Sequence, residues 1–227
     1  FRRGRVEDYQ SFLNVMGFVR RDGRSFDAVL HLAAESHVDR SIEDGNAFVT
    51  TNVLGTQVLL QALHQVGWRG RFVHVSTDEV YGALAPDEPA WKEDAPFKPT
   101  SPYAASKAAA EHFVMSHHRT YGTDVVITRG SNTYGPRQHP EKLIPLMVQR
   151  ALADEPLPVY GDGLQQRDWL HVDDHARGIL AALEHGTSGE VYNLGGSGER
   201  VNLDVVETLL DHLDRPKSLI SFVTDRL

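Results

Sequence analysis

A tyrosine and a lysine four residues apart form the first spacing in this sequence that could do chemistry. They bound the run Tyr103-Ala104-Ala105-Ser106-Lys107, and residues four apart share one face of a helix. An ammonium group beside a phenol favours the phenolate, which lowers the pKa of the tyrosine toward neutrality. Such a tyrosine can take a proton from a sugar hydroxyl while a hydride leaves the same carbon. The same spacing also occurs in ordinary solvated helices, so both interpretations stay open for this pair alone.

Two adjacent carboxyl groups provide a second chemical feature. Asp78 and Glu79 lie in Ser76-Thr77-Asp78-Glu79-Val80-Tyr81-Gly82, directly after the strand predicted at 71–77. Carboxyl groups in loops are usually solvated, but water access should be limited at the end of a buried strand. Two such groups can hold different protonation states, one as acid and one as base. Together with the Thr77 hydroxyl, which can polarise a substrate oxygen, they meet the requirement for eliminating water from a sugar.

The elements that must position these residues alternate between strands and helices. The pattern of apolar residues predicts strands at 26–34, 71–77 and 124–129 and helices at 47–66 and 103–120,. This alternation indicates a parallel sheet with helices on both faces. Ligands of such sheets bind beyond the carboxyl ends of the strands, where residues 32–36, 76–79 and 131–136 lie. Further along, we predict a helix at 173–185, a strand at 190–194 and a helix at 202–213 with Asn202 as its N-cap.

Composition excludes several classes of protein. The 227 residues suffice for one domain and a small second lobe,. The formal net charge of -8 argues against a nucleic-acid binder,. The absence of cysteine excludes disulfides, thiolate catalysis and cysteine zinc sites,. No run of about 18 apolar residues predicts a membrane span, and no apolar signal segment follows Phe1-Arg2-Arg3-Gly4-Arg5,. We therefore expect a cytoplasmic protein.

Taken together, the two motifs resemble the extended short-chain dehydrogenase/reductase superfamily, and within it the dTDP-glucose 4,6-dehydratase family. The Asp78-Glu79 pair is the most specific element, because related epimerases and decarboxylases usually lack it. The resemblance runs from about residue 26 to residue 205. It rests on these segments: His31 to Ser41, Thr51-Asn52-Val53-x-Gly55-Thr56, Ser76 to Gly82, Ser101 to Lys107, Ser131-Asn132-x-Tyr134-Gly135-Pro136, Glu141 to Leu146, Leu157 to Gly163 and Arg167-Asp168-Trp169-Leu170.

The resemblance implies a catalytic role for five residues. Tyr103 would deprotonate the C4 hydroxyl while NAD accepts the C4 hydride, and Lys107 would tune Tyr103 and hold the nicotinamide ribose. Thr77 would hydrogen-bond the C4 oxygen. Glu79 would remove the C5 proton, and protonated Asp78 would deliver a proton to the departing C6 hydroxyl. The hydride then returns to C6, which gives dTDP-4-keto-6-deoxyglucose and water from dTDP-glucose.

The resemblance also implies binding residues. The cofactor is expected along the segment after the first strand and beside the helix at 103–120, at Leu32, Ala33, Ala34, Glu35, Ser36, Thr51, Tyr103 and Lys107. The substrate contacts it implies are Ser36, Thr77, Asn132, Lys142, Leu143, Pro158, Val159, Tyr160, Arg167 and Asn202. A planar guanidinium such as that of Arg167 suits phosphate oxygens, although a surface salt bridge with Asp162 or Asp168 is the alternative for it.

The expected architecture is therefore a Rossmann-like parallel sheet with helices on both faces and a small C-terminal substrate-binding lobe. The partial NAD-binding domain is expected over 1–130 with a return of the chain near 171–196, and the substrate-binding lobe mainly over 131–227. The family's first strand and its glycine-rich turn have no counterpart in this sequence. The stretch Phe1 to Asp8 resembles the end of the family's second cofactor strand, with Arg5 where an aspartate is usual. Thr133 stands where a second asparagine is usual. We therefore expect a chain truncated at both ends.

Three alternatives stay open beside the dTDP-glucose reaction. UDP-glucose 4,6-dehydratases carry a similar acid pair, and epimerases or decarboxylases share Tyr103 and Lys107. A nucleotide-sugar-binding fragment without activity is the alternative of another class. We expect no metal site, because His171 and His175 have no third ligand nearby in sequence, and we read Gly195-Gly196-Ser197-Gly198 as a turn. Family members usually pair through two long helices, here near 47–66 and 101–119, so a homodimer is expected, with no nucleic-acid or membrane partner.

Overall fold

The computed structural model describes residues 3–16, 26–84 and 88–225. The chain divides into two compact units. The first, called the sheet unit, runs to Gly130 and resumes over Arg177–Leu194, and the second, called the small unit, comprises Ser131–Ala176 and the chain from Gly195 onward. Phe1 and Arg2, on which the predicted end of a cofactor strand partly falls, lie outside the described residues, and residues 3–8 form irregular chain and a turn.

The sheet unit alternates strands and helices. Its strands are β1 (Ala28–His31), β2 (Arg71–Thr77), β3 (Val125–Gly130) and β7 (Val191–Leu194). Its helices are α1 (Tyr9–Met16), α2 (Val38–Glu43), α3 (Asn46–Phe48), α4 (Gly55–Gln65) and α5 (Pro102–Tyr121), and α7 (Val172–His185) continues into it from the small unit. The predicted strand at 26–34 is shorter than expected, since the ladder to β2 pairs only Ala28 to His31.

The four strands form one parallel sheet in the order β1-β2-β3-β7. Helices α4 and α5 cover one face with a core cluster formed by Leu59, Leu60, Leu63, Trp68, Phe72, Val114, Val125 and Ile127. Val126 faces the opposite side, where Gly186, directly after α7, packs so closely that an added Cβ would lie 3.2 Å from the valine. The predicted parallel sheet with helices on both faces is confirmed.

One predicted helix contains a feature that periodicity could not show. The expected helix at 47–66 begins at Asn46, but Val49–Leu54 is a π-helix between α3 and α4. An inserted π turn re-aims the side chains that follow it, and such turns often occur at functional sites. Here the π turn directs Asn52 into the protein, where only 1% of its surface is exposed.

Helix α5 has strong signals at both ends. The Ser101 side chain accepts a hydrogen bond from the backbone N–H of Ala104, and Pro102 occupies the first turn, where its missing N–H costs nothing. Gly122 ends the helix in the left-handed conformation at φ 67°, which glycine adopts without strain. These signals fix the helical register, and hence which face of α5 turns toward β2 and β3.

The small unit combines short strands with helices, including a 3-10 helix at Lys217–Leu219 and the first turn of α7. It holds β4 (Asn132–Tyr134), α6 (Leu143–Leu152), β5 (Leu157–Tyr160), β6 (Gln166–His171), β8 (Glu199–Val201), α8 (Asn202–His212) and β9 (Ile220–Val223). Its core consists of Met147, Ala151, Leu157, Val159, Val206 and Leu210. The predicted N-cap at Asn202 is wrong, because Val201 caps α8 without a side-chain hydrogen bond and Asn202 is the first helical residue.

Two histidines on adjacent strands of the sheet have buried side chains. His31 and His74 pair across β1 and β2, and their ring centroids lie 5.4 Å apart. His31 Nε2 lies 2.9 Å from Thr56 Oγ1, whereas neither ring nitrogen of His74 has a partner among the described residues. Burial, with the Lys107 charge adding to it, lowers the pKa of His31 to about 3, and it lowers the pKa of His74 well below its usual value. Both rings are therefore neutral in the folded protein.

These histidines should make the protein lose stability in acid. The unfolded chain binds protons at both rings below about pH 6.5, whereas the folded chain does not, so the free energy of unfolding falls as the pH falls through that value. We expect His74→Leu to reduce this loss by about 1.4 kcal/mol between about pH 7.5 and about pH 5.5. Urea unfolding at both pH values measures it. His185→Leu, at an exposed position, should leave the loss as it is, and an equal loss in His74→Leu and wild type would contradict the prediction.

Candidate active site

The acid pair lies on a short turn at the carboxyl end of β2. Thr77 ends the strand, and residues Asp78–Tyr81 form a 3-10 helix. The Thr77 hydroxyl accepts a hydrogen bond of 3.3 Å from the backbone N–H of Glu79 and so caps this turn. Val80 and Tyr81 are buried, which leaves Asp78 and Glu79 on the half-buried side. Both carboxyl groups are thus held at the edge of the sheet where ligands of parallel sheets bind.

A glycine lets the chain leave this turn. Gly82 has φ 88°, and a Cβ at this position would lie 2.2 Å from the backbone oxygen of Lys98. The backbone N–H of Lys98 in turn bonds to the Val80 carbonyl at 3.1 Å. Any side chain at position 82 would therefore push the segment that contains Lys98 away from Asp78–Tyr81, which is called the acid turn below.

Tyr103 meets the acid turn from α5. Its side chain forms a hydrogen bond with Thr77, and the charges of Glu79 and Asp78 act on it. Burial, followed by the Glu79 charge, raises the pKa of Tyr103 above its usual value, and the Thr77 hydrogen bond only partly offsets this. The prediction that Lys107 lowers this pKa is therefore wrong for the described chain. Tyr103 instead holds its proton close to two carboxyl groups.

Lys107 is turned into the sheet rather than into solvent. Its Nζ donates a hydrogen bond of 2.8 Å to the Val75 carbonyl, and 4% of the residue is exposed. Burial lowers the pKa of Lys107 to about 8, and the Glu111 charge partly offsets that fall. A lysine with such a pKa lies close to its titration at neutral pH, which is the range where a proton-transfer partner is most useful.

Asn52 links the segment after β1 to α5. Its Oδ1 accepts from the backbone N–H of Glu35 at 2.8 Å, and its Nδ2 donates to the Glu35 carbonyl at 2.9 Å. Nδ2 also donates to Ser106 Oγ at 2.8 Å, and that hydroxyl donates to the Tyr103 carbonyl at 2.7 Å. One buried amide therefore ties the expected cofactor segment to the turn of α5 between Tyr103 and Lys107.

The expected cofactor residues lie at the carboxyl end of β1. Leu32 is 57% exposed although it is apolar, and Ala33 and Ser36 are exposed, with Ala34 half-buried. Thr51 lies in the π turn directly before Asn52. An exposed strip of small and apolar residues at a strand end offers a surface on which a flat ring can lie. Of these predicted residues, Glu35 is linked to α5, through Asn52 and Ser106 to the Tyr103 carbonyl.

The remaining expected substrate residues belong to the small unit. Asn132 begins β4, Lys142 caps α6, Leu143 begins it, and Pro158, Val159 and Tyr160 lie on β5. The Val159 side chain is 3% exposed and belongs to the core of this unit, so only its backbone is available to a ligand. Asn202 Oδ1 is buried and lacks a partner among the described residues.

Arg167 is exposed on β6 and donates to the Gln166 carbonyl at 2.8 Å. The two acids considered as its salt-bridge partners bond elsewhere. Asp162 accepts from the backbone N–H of Leu164 at 2.9 Å, and Asp168 accepts from Gly196 at 2.7 Å and Gly198 at 2.8 Å. The carboxylate of Asp168 thus occupies the N–H groups of the glycine-rich turn at 195–198, and these donors are not available to a phosphate.

The paired histidines at 171 and 175 serve the structure of the small unit. His171 Nδ1 accepts from the backbone N–H of Asp173 at 3.3 Å, and His175 Nδ1 lies 2.8 Å from Thr133 Oγ1. The described residues contain no cluster of three side chains that could hold a metal ion. In the part of the chain that the structure covers, no helix has both the length and the apolar character needed to cross a membrane.

Four residues of the site framework were not predicted from the sequence: Asn52, Ser106, Glu111 and Arg129. Asn52 lies in the segment 51–56, which contributes to the family resemblance. An asparagine in the middle of a helix is unusual, because its side chain competes for the hydrogen bonds of backbone groups. Glu111 follows Lys107 by four residues, so the same helical spacing that selected Tyr103 could have selected it. Nothing in the sequence indicates that Arg129 is its partner.

The hydrogen bonds of Asn52 to Glu35 and Ser106, called the Asn52 clamp, have a testable consequence. An Asn52→Asp change keeps the shape of the side chain but removes both donors and places carboxylate oxygens against the Glu35 carbonyl and Ser106. We expect the free energy of unfolding to fall by about 3 kcal/mol, because buried acceptors lose their donors. Urea unfolding measures this loss. Asn14→Asp, at an exposed position of α1, should cost less than about 0.5 kcal/mol, and equal losses in the two variants would show that the clamp contributes nothing.

Comparison with known proteins agrees with this geometry. The model of the NAD dependent epimerase/dehydratase family matches residues 12–195. A dTDP-glucose 4,6-dehydratase of Actinoplanes sp. is 55% identical over 202 residues, and one of Xanthomonas campestris pv. campestris is 52% identical over 218 residues. Each alignment covers 88% of this chain and 62% of the relative. The chain thus spans about 62% of the length of these curated relatives.

Solved structures show the same relation. DesIV, a dTDP-glucose 4,6-dehydratase from Streptomyces venezuelae with NAD and TYD bound, is 49% identical with a TM-score of 0.90 over 98% of this chain and 66% of its own. A UDP-glucuronic acid 4-epimerase from Bacillus cereus, in complex with UDP-glucuronic acid and NAD, is 34% identical with a TM-score of 0.85 over 96% of this chain and 66% of its own. The matched family model covers most of this chain, and the chain belongs to the NAD dependent epimerase/dehydratase family.

Proposed function

We propose that this chain carries the catalytic residues of an NAD-dependent dTDP-glucose 4,6-dehydratase, which converts dTDP-glucose to dTDP-4-keto-6-deoxyglucose and water. The observation that carries the proposal is the acid turn at the end of β2, where Asp78 and Glu79 adjoin a Thr77 hydroxyl that is hydrogen-bonded to Tyr103. Oxidation or epimerisation at C4 needs Tyr103 and Lys107 alone, whereas loss of water needs an additional base and an additional acid.

The first proton transfer belongs to Tyr103. The phenol accepts the proton of the C4 hydroxyl, and Thr77 holds the C4 oxygen beside it. In the chain by itself, burial and then the nearby Glu79 charge oppose ionisation of this phenol, and the hydrogen bond with Thr77 is the contribution of this chain that favours the phenolate. The Lys107 ammonium lies one turn further along α5. We therefore infer that a second positive charge at the site assists the step.

The elimination belongs to the acid turn. A ketone at C4 acidifies the proton at C5, which Glu79 removes as general base. Asp78, holding a proton, gives it to the C6 hydroxyl as that group departs as water. Two neighbouring carboxyl groups can divide the roles of base and acid when one holds a proton and the other does not. Thr77 caps the turn and so keeps both groups in register with Tyr103.

The residues present fit the nicotinamide half of a dinucleotide. Leu32 offers an exposed apolar face at a strand end, and Ala33 and Ala34 leave space beside it. Asn52 fixes the backbone of Glu35 in this segment, and Thr51, Tyr103 and Lys107 are the other proposed contacts. NAD, when bound there, supplies the hydride acceptor for C4, the positive charge near Tyr103 and the hydride returned to C6.

The nucleotide of the substrate is proposed to contact residues of the small unit. Tyr160 is an exposed aromatic residue suited to a base, and Arg167 an exposed guanidinium suited to a diphosphate,. The other proposed contacts are Asn132, Lys142, Leu143, Pro158, the backbone of Val159, and Asn202. The buried and unpartnered Oδ1 of Asn202 is an acceptor that a ligand group can satisfy.

The alternatives receive less support. Identity to the two dTDP-glucose dehydratases of Actinoplanes and Xanthomonas is 52–55%, against 34% to the epimerase. No observation in the described chain distinguishes a thymine from a uracil base, so the identity of the relatives alone favours dTDP over UDP. A binding protein without activity would not need a capped acid turn whose threonine is hydrogen-bonded to Tyr103.

A substitution of the proposed base separates the steps. In the full-length protein, Glu79→Gln should oxidise C4 but fail to remove the C5 proton, so we expect reduced nicotinamide to accumulate and the 4-keto-6-deoxy product to fall by about a hundredfold or more. Absorbance of the reduced cofactor and the alkaline 4-keto chromophore measure the two outcomes. Glu184→Gln, at an exposed carboxylate of α7, should behave as wild type. Equal loss of both steps in Glu79→Gln would contradict the role of Glu79 as base, and a wild type inactive with dTDP-glucose would contradict the proposed function.

We also propose that two copies pair through the π turn and α5. Val49 and Leu54 are 56% and 49% exposed although apolar. A recess of about 550 Å³ beside them is lined mainly by small and apolar residues, namely Gly45, Asn46, Val49, Val53, Pro102, Ala105, Ser106 and Ala109. An exposed apolar area of this kind is typical of an interface.

We also propose a cytoplasmic location, because a chain without cysteine cannot use the disulfides that an oxidising compartment allows,.

Sedimentation equilibrium tests the pairing. Val49→Asp should convert the full-length dimer to monomer, because it would bury a carboxylate in an apolar contact. Leu152→Asp, at an equally exposed apolar position of α6, is the matched control and should stay dimeric. A wild type that is monomeric at micromolar concentration, or a dimeric Val49→Asp, contradicts this interface.

A further inference from the structure

A buried ion pair lies next to Lys107 on α5. Glu111 follows Lys107 by one helical turn and is 2% exposed, and Arg129 on β3 is 4% exposed. Arg129 Nε lies 3.1 Å from each carboxylate oxygen of Glu111, and Arg129 Nη2 lies 2.7 Å from Oε2. The guanidinium thus donates hydrogen bonds to the carboxylate from two of its nitrogens, and such two-nitrogen contacts are the strong geometry for an arginine–carboxylate pair.

The other edge of the same guanidinium holds the acid turn. Arg129 Nη1 donates to the Tyr81 hydroxyl and, at 3.0 Å, to the Glu93 carbonyl. Its carbon centre lies 4.8 Å from the Tyr81 ring and 4.7 Å from the Phe97 ring. Tyr81 is the last residue of the turn that begins with Asp78 and Glu79, and its hydroxyl donates onward to Asn193 Oδ1 at 2.7 Å.

Stability alone does not account for such a pair. Taking two charges out of water offsets most of their attraction, and apolar residues of similar volume are often at least as stable. Arg71 and Asp124 form a more exposed pair in the same sheet, at 3.0 Å, which holds the end of α7 through bonds to the carbonyls of Leu183 and Gly186. The Glu111–Arg129 pair differs because it joins Lys107 on one side to the acid turn on the other.

We propose that Glu111 and Arg129 are positioning residues for the elimination chemistry: Glu111 keeps Lys107 charged, and Arg129 holds the Asp78–Tyr81 turn through Tyr81. This inference rests on the proposed dehydratase function. Neither residue touches the reacting atoms in this scheme. The pair acts through Lys107 and through Tyr81, so that the charge of the lysine and the place of the carboxyl groups depend on one buried contact.

The charges around Lys107 make the first half of this proposal measurable. His31 on β1 and His74 on β2 face the same region, and both are kept neutral by burial, which lowers their pKa. On α5, Glu111 is the charge that raises the pKa of Lys107 against burial. Since that pKa lies at about 8, removal of the Glu111 charge should bring the loss of the ammonium charge down toward neutral pH.

Direct titration of Lys107 tests this without cofactor or substrate. In protein labelled with 13C at the lysine ε-carbon, the Lys107 signal is identified by its absence in Lys107→Met. In wild type, the pH midpoint of the titration of this Lys107 signal is expected near the pKa of about 8. Glu111→Gln should lower this titration midpoint by about one pH unit. Asp124→Asn, which breaks the other ion pair of the sheet, is the matched control and should leave the midpoint unchanged. A folded Glu111→Gln protein with the wild-type midpoint overturns the proposal.

A double substitution covers the case in which Glu111→Gln does not fold. Glu111→Leu combined with Arg129→Met removes both charges and leaves neither unpaired, which buried pairs tolerate far better than loss of one partner. The lowered Lys107 midpoint should persist in this protein, because the Glu111 charge is absent in both variants. An unchanged midpoint overturns the role of Glu111 as firmly as in the single variant.

Tyr81→Phe tests the second half. It keeps the ring but removes the oxygen that receives the Arg129 bond, so the acid turn loses its anchor. In the full-length protein we expect kcat for dehydration of dTDP-glucose to fall about tenfold with little change in KM, since small displacements of catalytic groups cost this much. Tyr121→Phe, at the exposed end of α5, should retain wild-type kcat. A wild-type kcat in Tyr81→Phe overturns the anchoring role, whereas an inactive wild type refutes the proposed function and leaves the Lys107 titration to be judged by itself.

Discussion

The burial of a polar helix face is the constraint on which the site depends. Helix α5 turns Ser106, Lys107 and Glu111 toward the sheet, and each is at most 4% exposed. Buried polar groups are costly unless they are hydrogen-bonded, and buried charges are costlier still. The fold therefore supplies a partner to each: the Asn52 amide for Ser106, the Val75 carbonyl for Lys107 and the Arg129 guanidinium for Glu111.

These partners come from separate elements, which explains why the sheet unit has its particular arrangement. The strand order places β2 between β1 and β3, so that Val75 and Arg129 reach α5 from adjacent strands. The π turn before α4 aims Asn52 at α5 and at the segment after β1. Since Arg129 also bonds Tyr81, the acid turn is fixed to the same helix. Tyr103 thus meets Thr77 and the two carboxyl groups through a framework in which Asn52, Lys107 and Arg129 are each hydrogen-bonded.

The sequence predicted most of the elements and the chemistry, and less of what holds them together. The apolar spacing of 47–66 and 103–120 and the runs at 71–77 and 124–129 suffice for the sheet and its helices, because burial of one face determines periodicity. It missed the π turn at Val49–Leu54, because one inserted residue per turn hardly changes an apolar pattern. It also placed the cap of α8 one residue late and assigned Tyr103 the wrong direction of pKa shift. That shift depends first on the burial of the Tyr103 side chain and then on its distances to Glu79 and Asp78, which only the folded chain defines.

The most direct test of the dehydratase account follows one hydrogen atom. dTDP-glucose carrying deuterium at C4 is incubated with the full-length protein, and the position of the label in the product is read by NMR. The account predicts a 4-keto-6-deoxy product with the deuterium at C6, because the hydride taken from C4 returns to the carbon that lost its hydroxyl. Label that returns to C4 without loss of water would mean an epimerase and would contradict the acid and base roles of Asp78 and Glu79.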